Sequence, residues 1–235
     1  MHRTFGHRLS HVILEELRER LLSGYYPIGS RISIEGVKAE FGVSKQPVMD
    51  AMRRLEAIGI VEIVPQSGCR VMKYPAQEIE DFFALFGRFE GEIAATAAIR
   101  RSQTQLVEMD TALRRLAEVE EIEDPVARSS GYRVHNRGFH LVVHQMSHSS
   151  IMGDLSGRMW DLSDFFIYSV GGARVLSDRV HSRNDDHHLI GTAIRSGNAE
   201  VARVAMESHI LDTVKIVRPT GLTTHNEVPP SRHRP

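Results

Sequence analysis

Residues 41–71 read FGVSKQPVMDAMRRLEAIGIVEIVPQSGCRV, and this segment encodes a turn, a helix and a hairpin in immediate succession. Ser44 predicts the start of the helix, because its hydroxyl can accept a hydrogen bond from an otherwise unpaired backbone N–H of the first turn. Three apolar side chains then recur at spacings of four and three: Val48, Met52 and Leu55. This spacing predicts that one stripe of the helix is buried.

The opposite face of this helix is polar and basic. The side chains predicted to face outward are Lys45, Gln46, Met49, Arg53 and Arg54. Gly59 ends the helix, and two short β-rich runs follow at residues 60–64 and 69–72, separated by the turn-forming residues 65–68. A helix with basic and amide side chains, followed by a small hairpin, is typical of a winged helix-turn-helix that reads DNA.

The residues before this segment complete such a module. Residues 8–22 predict an amphipathic first helix, and residues 33–40 predict a second helix that packs through Val37 and Phe41. Residues 1–75 hold eleven Lys and Arg against eight Asp and Glu, a net charge of +3, whereas the whole chain carries −1. This asymmetry fits a DNA-binding head on a more acidic body.

Residues 24–71 resemble the DNA-binding domain of the GntR superfamily of transcriptional regulators. The matching residues, with two that precede the domain, are Leu17, Arg18, Gly24, Pro27, Gly29, Arg31, Ile32, Phe41, Gly42, Val43, Ser44, Pro47, Val48, Ala51, Arg54, Leu55, Gly59 and Gly68. The resemblance implies a DNA-binding set drawn from the helix and from the wing: Arg31, Ser44, Lys45, Gln46, Arg53, Arg54, Ser67, Gly68 and Arg70.

The residue types within this set predict different roles. The side chains expected on phosphates are Arg31, Lys45, Arg53 and Arg54, and the tip of the wing is expected in the adjacent groove. The amide of Gln46 could read adenine. The family generally has Arg, Thr and Arg where this chain has Lys45, Gln46 and Met49. The operator sequence therefore cannot be carried over from relatives.

Length and composition set the wider frame. A chain of 235 residues with 41% hydrophobic content can build two domains with cores of their own. Its one cysteine excludes an internal disulfide framework. No apolar stretch approaches the roughly 18 residues of a membrane span, and the first residues lack the apolar core of a signal peptide. We therefore expect a cytoplasmic protein that makes no membrane contact.

Beyond residue 74 the chain reads as helix throughout. Helices are predicted at residues 76–100, 103–122, 125–146, 149–169, 178–195 and 198–217. The predicted fold is mainly α, with a winged helix-turn-helix in residues 1–74 and an antiparallel bundle of about six helices in residues 75–218. The composition of residues 219–235 predicts a disordered tail. This combination resembles the FadR-type subgroup, whose C-terminal domain is an all-helical ligand sensor.

A set of polar residues in the predicted bundle also resembles that subgroup. The segments around Asn136 and His140, His187, and His209 are similar to its metal-binding segments, in which a carboxylate and three histidines hold a divalent cation. The resemblance makes the three histidines ligands and places Asn136 at the carboxylate position. Such a donor set suits a divalent transition metal. We expect Zn or Ni, although the donor types would also suit Co or Fe. Because the Asn136 amide is neutral, the site would bind a metal ion more weakly, use water at that position, or hold an anion directly.

Other interpretations of these histidines remain open. The chain holds thirteen histidines, and a single helical histidine is more often packed or solvated than a metal ligand. His144 follows His140 by one helical turn, so these two histidines could form an alternative metal site. The family also usually has an arginine four residues before the glutamate matched by Glu90, where this chain has Phe86.

Together these features predict a transcriptional regulator rather than an enzyme. We expect a homodimer that binds a palindromic DNA operator, and a bundle that binds a small carboxylate effector near the metal. Repression relieved by the effector is the expected direction of control. One alternative is a metal-free bundle that serves only dimerisation. The other is a metal-dependent hydrolase, although no His-Glu-x-x-His motif supplies a base beside the histidines.

Overall fold

The structure, a computed structural model, describes residues 2–65, 68–172 and 174–217. The N-terminal part of the chain forms three helices and a small sheet: α1 (His2–Leu22), β1 (Arg31–Ile32), α2 (Ile34–Phe41), α3 (Lys45–Ile58), β2 (Val61–Val64) and β3 (Gly68–Val71). The predicted stripe of α3 is buried, as is the apolar face of α1. The winged helix-turn-helix architecture is confirmed.

The sheet contains a strand that the sequence does not reveal. Its order is β1-β3-β2, and β1 pairs antiparallel with β3 so that Ile32 lies opposite Cys69. A strand of two residues is too short to carry an alternating pattern, so only its pairing with β3 defines it. The pairing contributes to the core of the module, since Ile32 and Cys69 are both buried.

The predicted role of Ser44 as a capping side chain is wrong. Ser44 occupies the N-cap position of α3 with extended backbone, but its side chain makes no capping hydrogen bond. The N-cap hydroxyl normally accepts from the N–H of the second or third helical residue. Here the third helical residue is Pro47, which has no N–H. By contrast, Ser33 caps α2 and accepts from the backbone N–H of Gly36 at 3.0 Å.

The rest of the described chain is a helical bundle, as predicted. Its helices are α4 (Ala76–Arg100), α5 (Gln103–Glu120), α6 (Pro125–Met146), α7 (Ser150–Gly171), α8 (Val180–Ser196), α9 (Ala199–Leu211) and the short α10 (Val214–Val217). The bounds of α4 and α6 agree with the prediction, while the last predicted helix is interrupted after Leu211. Among the described residues, no helix is both long and apolar enough to cross a membrane.

Helix α4 lies at the centre of the bundle and packs very closely against α9. A Cβ at Gly91 would lie 2.9 Å from the backbone oxygen of Arg203, and a Cβ at Gly87 would lie 3.2 Å from that of Glu207. Only glycine allows the two helix backbones to approach to this distance. The close packing of α4 and α9 also fixes the position of His209, which lies on α9 beside the other inward-facing polar residues.

The winged module contacts the bundle directly through α1, α3 and α7. Arg18 of α1 forms an ion pair with Asp161 of α7 at 2.8 Å. Tyr74 lies in the connection between β3 and α4, and its hydroxyl donates to the carbonyl of Gly59 at 2.8 Å. The ring of Tyr74 packs edge-on against Phe166 of α7, with centroids 5.1 Å apart. Tyr74 therefore links the C-terminal end of α3 to the bundle.

Candidate DNA interface and histidine centre

Most of the residues predicted to contact DNA are exposed on the surface of the winged module. The exposed members are Arg31, Ser44, Lys45, Gln46, Arg53, Arg54 and Arg70, whereas Gly68 is half-buried. Ser67 lies outside the described residues. A groove between α3 and the sheet is lined by Arg31, Lys45, Met49, Ile63 and Gly68, among others. Three members of the predicted set, Arg31, Lys45 and Gly68, therefore line this groove.

Two arginines of this set lie opposite each other in the sheet. Arg31 of β1 pairs with Arg70 of β3, and both side chains are exposed. Like charges at directly opposed positions disfavour a sheet. Glu62 of β2 lies opposite Arg70 on its other side, and an anion such as a DNA phosphate near the two arginines would offset the repulsion further.

Asp50 is part of this surface, although sequence reasoning did not single it out. Its Oδ1 accepts a hydrogen bond from the amide of Gln46 at 2.8 Å and another from Arg53 at 3.0 Å. The spacings of four and three residues on one helix were the available signal. Asp50 therefore occupies one N–H donor of Gln46 and one of Arg53 in the DNA-free protein.

The second candidate site is formed by three histidines inside the bundle. His140 of α6, His187 of α8 and His209 of α9 each offer a ring nitrogen, and these nitrogens lie within 4.8 Å of one another. All three side chains are buried. Burial lowers the pKa of His140 to about 4 and holds the pKa values of His187 and His209 well below their ordinary value. The rings are therefore neutral near pH 7, which is the form that ligates metal ions.

The hydrogen bonding of these rings fits a metal centre. Both ring nitrogens of His140 and both of His187 are buried without a hydrogen-bond partner in the described part of the chain. Buried polar atoms are nearly always satisfied, so such orphans indicate a missing partner. His209 places Nδ1 3.1 Å from the carboxylate of Asp186, the kind of outer contact that orients a ligating imidazole. Three neutral imidazoles with such support suit Zn or a similar transition metal.

Asn136 lies beside the histidines but already has a partner. It is 7% exposed, and its Oδ1 accepts a hydrogen bond from the hydroxyl of Tyr132 at 3.2 Å. An amide oxygen has a second lone pair that could face a cation. Its place as the fourth ligand remains a prediction.

A buried carboxylate, Glu90 of α4, lies behind His140. Its Oε2 is 3.6 Å from Nδ1 of His140, and both of its oxygens lie within 3.1 Å of Nε2 of His144. Ser156 of α7 also donates to Glu90. Burial acts to raise the pKa of Glu90, but His144 and His140 outweigh it and hold that pKa well below its usual range. His144 thus faces Glu90 through Nε2 and is not one of the three clustered histidines.

The presence of serine, histidine and glutamate in this cluster does not create a catalytic triad. Ser156 and Glu90 both contact the same nitrogen, Nε2 of His144. A nucleophile–base relay requires the base to use one ring nitrogen for the nucleophile and the other for the orienting carboxylate. The Ser156 and Glu90 side chains are also fully buried. The arrangement places a negative charge next to His140.

Arg183 of α8 is a further residue of the site that sequence reasoning missed. Its guanidinium donates to the carbonyl of His209 at 2.8 Å and lies 3.2 Å from Nε2 of the same residue. It also reaches the hydroxyl of Tyr132 at 3.4 Å and that of Thr213 at 3.2 Å. Arg183 precedes His187 by four residues, so the helical spacing could have placed both on one face.

Comparisons with known proteins agree with this architecture. Residues 9–71 match the family described as bacterial regulatory proteins, gntR family, and residues 81–212 match the FCD domain. The chain belongs to the GntR family and carries an FCD domain. The bundle described above is therefore the FCD domain of a GntR-family transcriptional regulator.

Individual relatives are similar along most of the chain. The Uxu operon regulator of Haemophilus influenzae is 26% identical over 214 residues, which cover 85% of this chain and 78% of that protein. The HTH-type transcriptional repressor GlaR of Escherichia coli is 19% identical over 203 residues, covering 86% and 92%. The structure of E. coli McbR/YncC superposes with a TM-score of 0.71 at 18% identity, covering 89% of this chain and 96% of that one.

Proposed function

We propose that this GntR-family regulator is a repressor whose operator binding is controlled by a small carboxylate bound at a divalent-metal centre in the FCD domain. The observation that carries the proposal is the cluster of His140, His187 and His209, in which two buried rings have no partner among the described residues. The repressor direction is supported by GlaR, a relative named as a repressor. A cytoplasmic homodimer that binds a palindromic operator completes the proposal.

The residues of the chain have separate roles in this proposal. A bound Zn or Ni ion would supply positive charge and open coordination positions for a carboxylate oxygen. The three histidines hold that ion as neutral ligands, and Asp186 orients His209 through Nδ1. Glu90 lies behind His140 and adds a negative charge close to the site, which offsets in part the charge lost by having Asn136 rather than a carboxylate.

A metal-free bundle is the second candidate, because one observation favours it. Nε2 of His209, the nitrogen left for a metal once Nδ1 faces Asp186, already lies 3.2 Å from a guanidinium nitrogen of Arg183. In that case the FCD domain would bind an anion directly or serve only dimerisation. Metal analysis of the purified protein separates the two candidates.

An ion-pair network between α1, α6 and α7 can carry the signal from this site to the DNA-binding module. Asp161 of α7 pairs with Arg18 of α1 and with Arg137 of α6, both at 2.8 Å. Arg137 follows Asn136 in the chain, and Trp160 precedes Asp161 with its ring 4.3 Å from that of His140. A shift of α6 or α7 on ligand binding would therefore reach Arg18 through packed groups.

Asp164 of α7 lies farther from the same two arginines, at 3.9 Å from Arg18 and 3.4 Å from Arg137. Replacing Asp161, which makes the shorter contact to each arginine, should therefore weaken the coupling of the two domains. In Asp161→Asn we expect the change in operator affinity caused by saturating Zn²⁺ to fall below about twofold, while the wild type shows a change of about fivefold or more. Fluorescence anisotropy with labelled operator DNA measures both. Asp110→Asn removes a more exposed ion pair with Arg195, which joins α5 to α8 and does not involve α1, and this variant should behave as wild type. An unchanged Zn²⁺ response in Asp161→Asn would contradict the coupling route.

Lys45 tests the DNA interface. Lys45→Ala should weaken operator binding and reduce the slope of log affinity against log salt by about one, because one phosphate contact is lost. Lys215→Ala is the charge-matched control, since Lys215 is exposed and lies on α10 in the bundle. Anisotropy titrations at several salt concentrations give both slopes. Equal slopes for the two variants would place Lys45 off the DNA.

A further inference from the structure

Arg183 is a buried cation whose contacts with the described residues include no carboxylate. The residue is 6% exposed, and its four polar contacts are a carbonyl, an imidazole nitrogen and two hydroxyls. Within residues 2–65, 68–172 and 174–217, no carboxylate oxygen lies within 4.0 Å of its guanidinium nitrogens. Asp186 acts on it only through space, with one oxygen directed at His209 instead. A buried charge without a counter-ion is costly, which indicates an anionic partner from outside the chain.

The groups around Arg183 define what that partner can be. The side chains around Arg183 and the clustered histidines include three imidazoles, the Asn136 amide and the Tyr132 hydroxyl. Two carboxylates contact these histidines from their other nitrogens, Asp186 at His209 and Glu90 at His140, and neither lies within 4.0 Å of the Arg183 guanidinium among the described residues. A guanidinium presents a planar pair of N–H donors that matches a carboxylate. Arg183 can therefore bind an anionic group, and its planar pair of donors favours a carboxylate.

Arg183 also shares an acceptor with the metal centre. Since Nδ1 of His209 faces Asp186, Nε2 carries the free lone pair, and this nitrogen lies 3.2 Å from Nη2 of Arg183. One lone pair can serve either an N–H donor or a metal ion. If His209 used this lone pair to hold a metal ion, it could no longer accept from that N–H of Arg183, and the N–H would be available to an anion.

We propose that Arg183 is the anchor for the carboxylate of the effector, and that it couples anion binding to metal binding through Nε2 of His209. The proposal rests on the metal-dependent function proposed above. Without an anion, Arg183 competes with the metal for His209. With a carboxylate present, the released guanidinium N–H has a new acceptor, so the anion and the metal bind with positive cooperativity. Arg183 thus selects ligands by charge.

The test uses Zn²⁺ as the metal and acetate as the probe, with acetamide as its neutral analogue at matched ionic strength. Zn²⁺ affinity is measured by competition with a chromophoric chelator for wild type, Arg183→Met, Arg183→Lys and the control Arg179→Met, which alters an exposed arginine. In wild type and Arg179→Met, acetate should tighten Zn²⁺ binding about fivefold, and acetamide should not. In Arg183→Met the acetate effect should vanish, and Zn²⁺ should bind at least as tightly as in wild type without acetate.

Arg183→Lys keeps the charge but loses the planar fork, so it should retain only part of the acetate effect. Circular dichroism in EDTA checks that each variant is folded. A full acetate effect in folded Arg183→Met, or none in wild type, would overturn the proposal. If wild type binds no Zn²⁺, the metal-dependent function fails separately. The role of Arg183 is then tested by the rise in melting temperature that acetate causes in EDTA. If this rise is lost in Arg183→Met, Arg183 binds the carboxylate; if the rise persists, Arg183 does not bind it.

Discussion

His187→Ala is expected to lose the bound divalent metal, with affinity reduced on the order of 100-fold or more. The reason is that two imidazoles remain where three converge, and even outer-sphere partners of metal ligands contribute factors of about 10 to 100. His187 is the most informative ligand to remove, because neither of its nitrogens has a hydrogen-bond partner among the described residues. Its loss therefore breaks no other polar contact. Elemental analysis of protein purified without an affinity tag gives the metal content directly.

His181→Ala is the matched control for this experiment. His181 lies on the same helix as His187, but its side chain is 81% exposed and pairs with Glu120 on the surface. We expect the control to retain the wild-type metal content. Equal metal in the two variants would show that the three histidines are not the site. The absence of metal from wild type, even after dialysis against Zn²⁺, would favour the metal-free bundle.

Glu90→Ala is expected to destabilise the protein by about 3–5 kcal/mol, because it removes one partner of a buried charged network. The change leaves Nε2 of His144 and the hydroxyl of Ser156 without their shared carboxylate, and it removes the group facing His140. It also opens a cavity at the centre of the bundle. Urea unfolding followed by circular dichroism in EDTA measures the free energy of unfolding without a contribution from metal binding.

Two comparisons make the Glu90 result specific. Glu90→Gln keeps the size and one acceptor oxygen, so it should cost less than Glu90→Ala. Glu92→Ala removes an exposed carboxylate from the same helix and should change stability by less than about 1 kcal/mol. A loss for Glu90→Ala as small as that for Glu92→Ala would mean that the buried network contributes little to folding.

The sequence alone predicted the secondary structure well where local signals define it. The bounds of α4 and α6 agree with the structure because local signals mark their ends. Pro75 precedes α4, and α6 starts with Pro125 after the capping residue Asp124. The basic face of α3 followed from the spacing of its apolar residues. Local reasoning failed at Ser44, where Pro47 removes the expected donor, and at β1, whose two residues form a strand only by pairing with β3.

The candidate histidine site was likewise predicted only in part from the sequence. The resemblance to a known family selected His140, His187 and His209, and the fold places these three together. Neither periodicity nor resemblance indicated that Arg183 would be buried against His209 without a carboxylate, or that Glu90 would lie behind His140. These residues come from different helices, and their distances depend on how those helices pack. Helical spacing along the chain therefore determined the elements and the DNA-facing surface, whereas the close packing of α4, α6, α8 and α9 decided the charge and partners of the buried site.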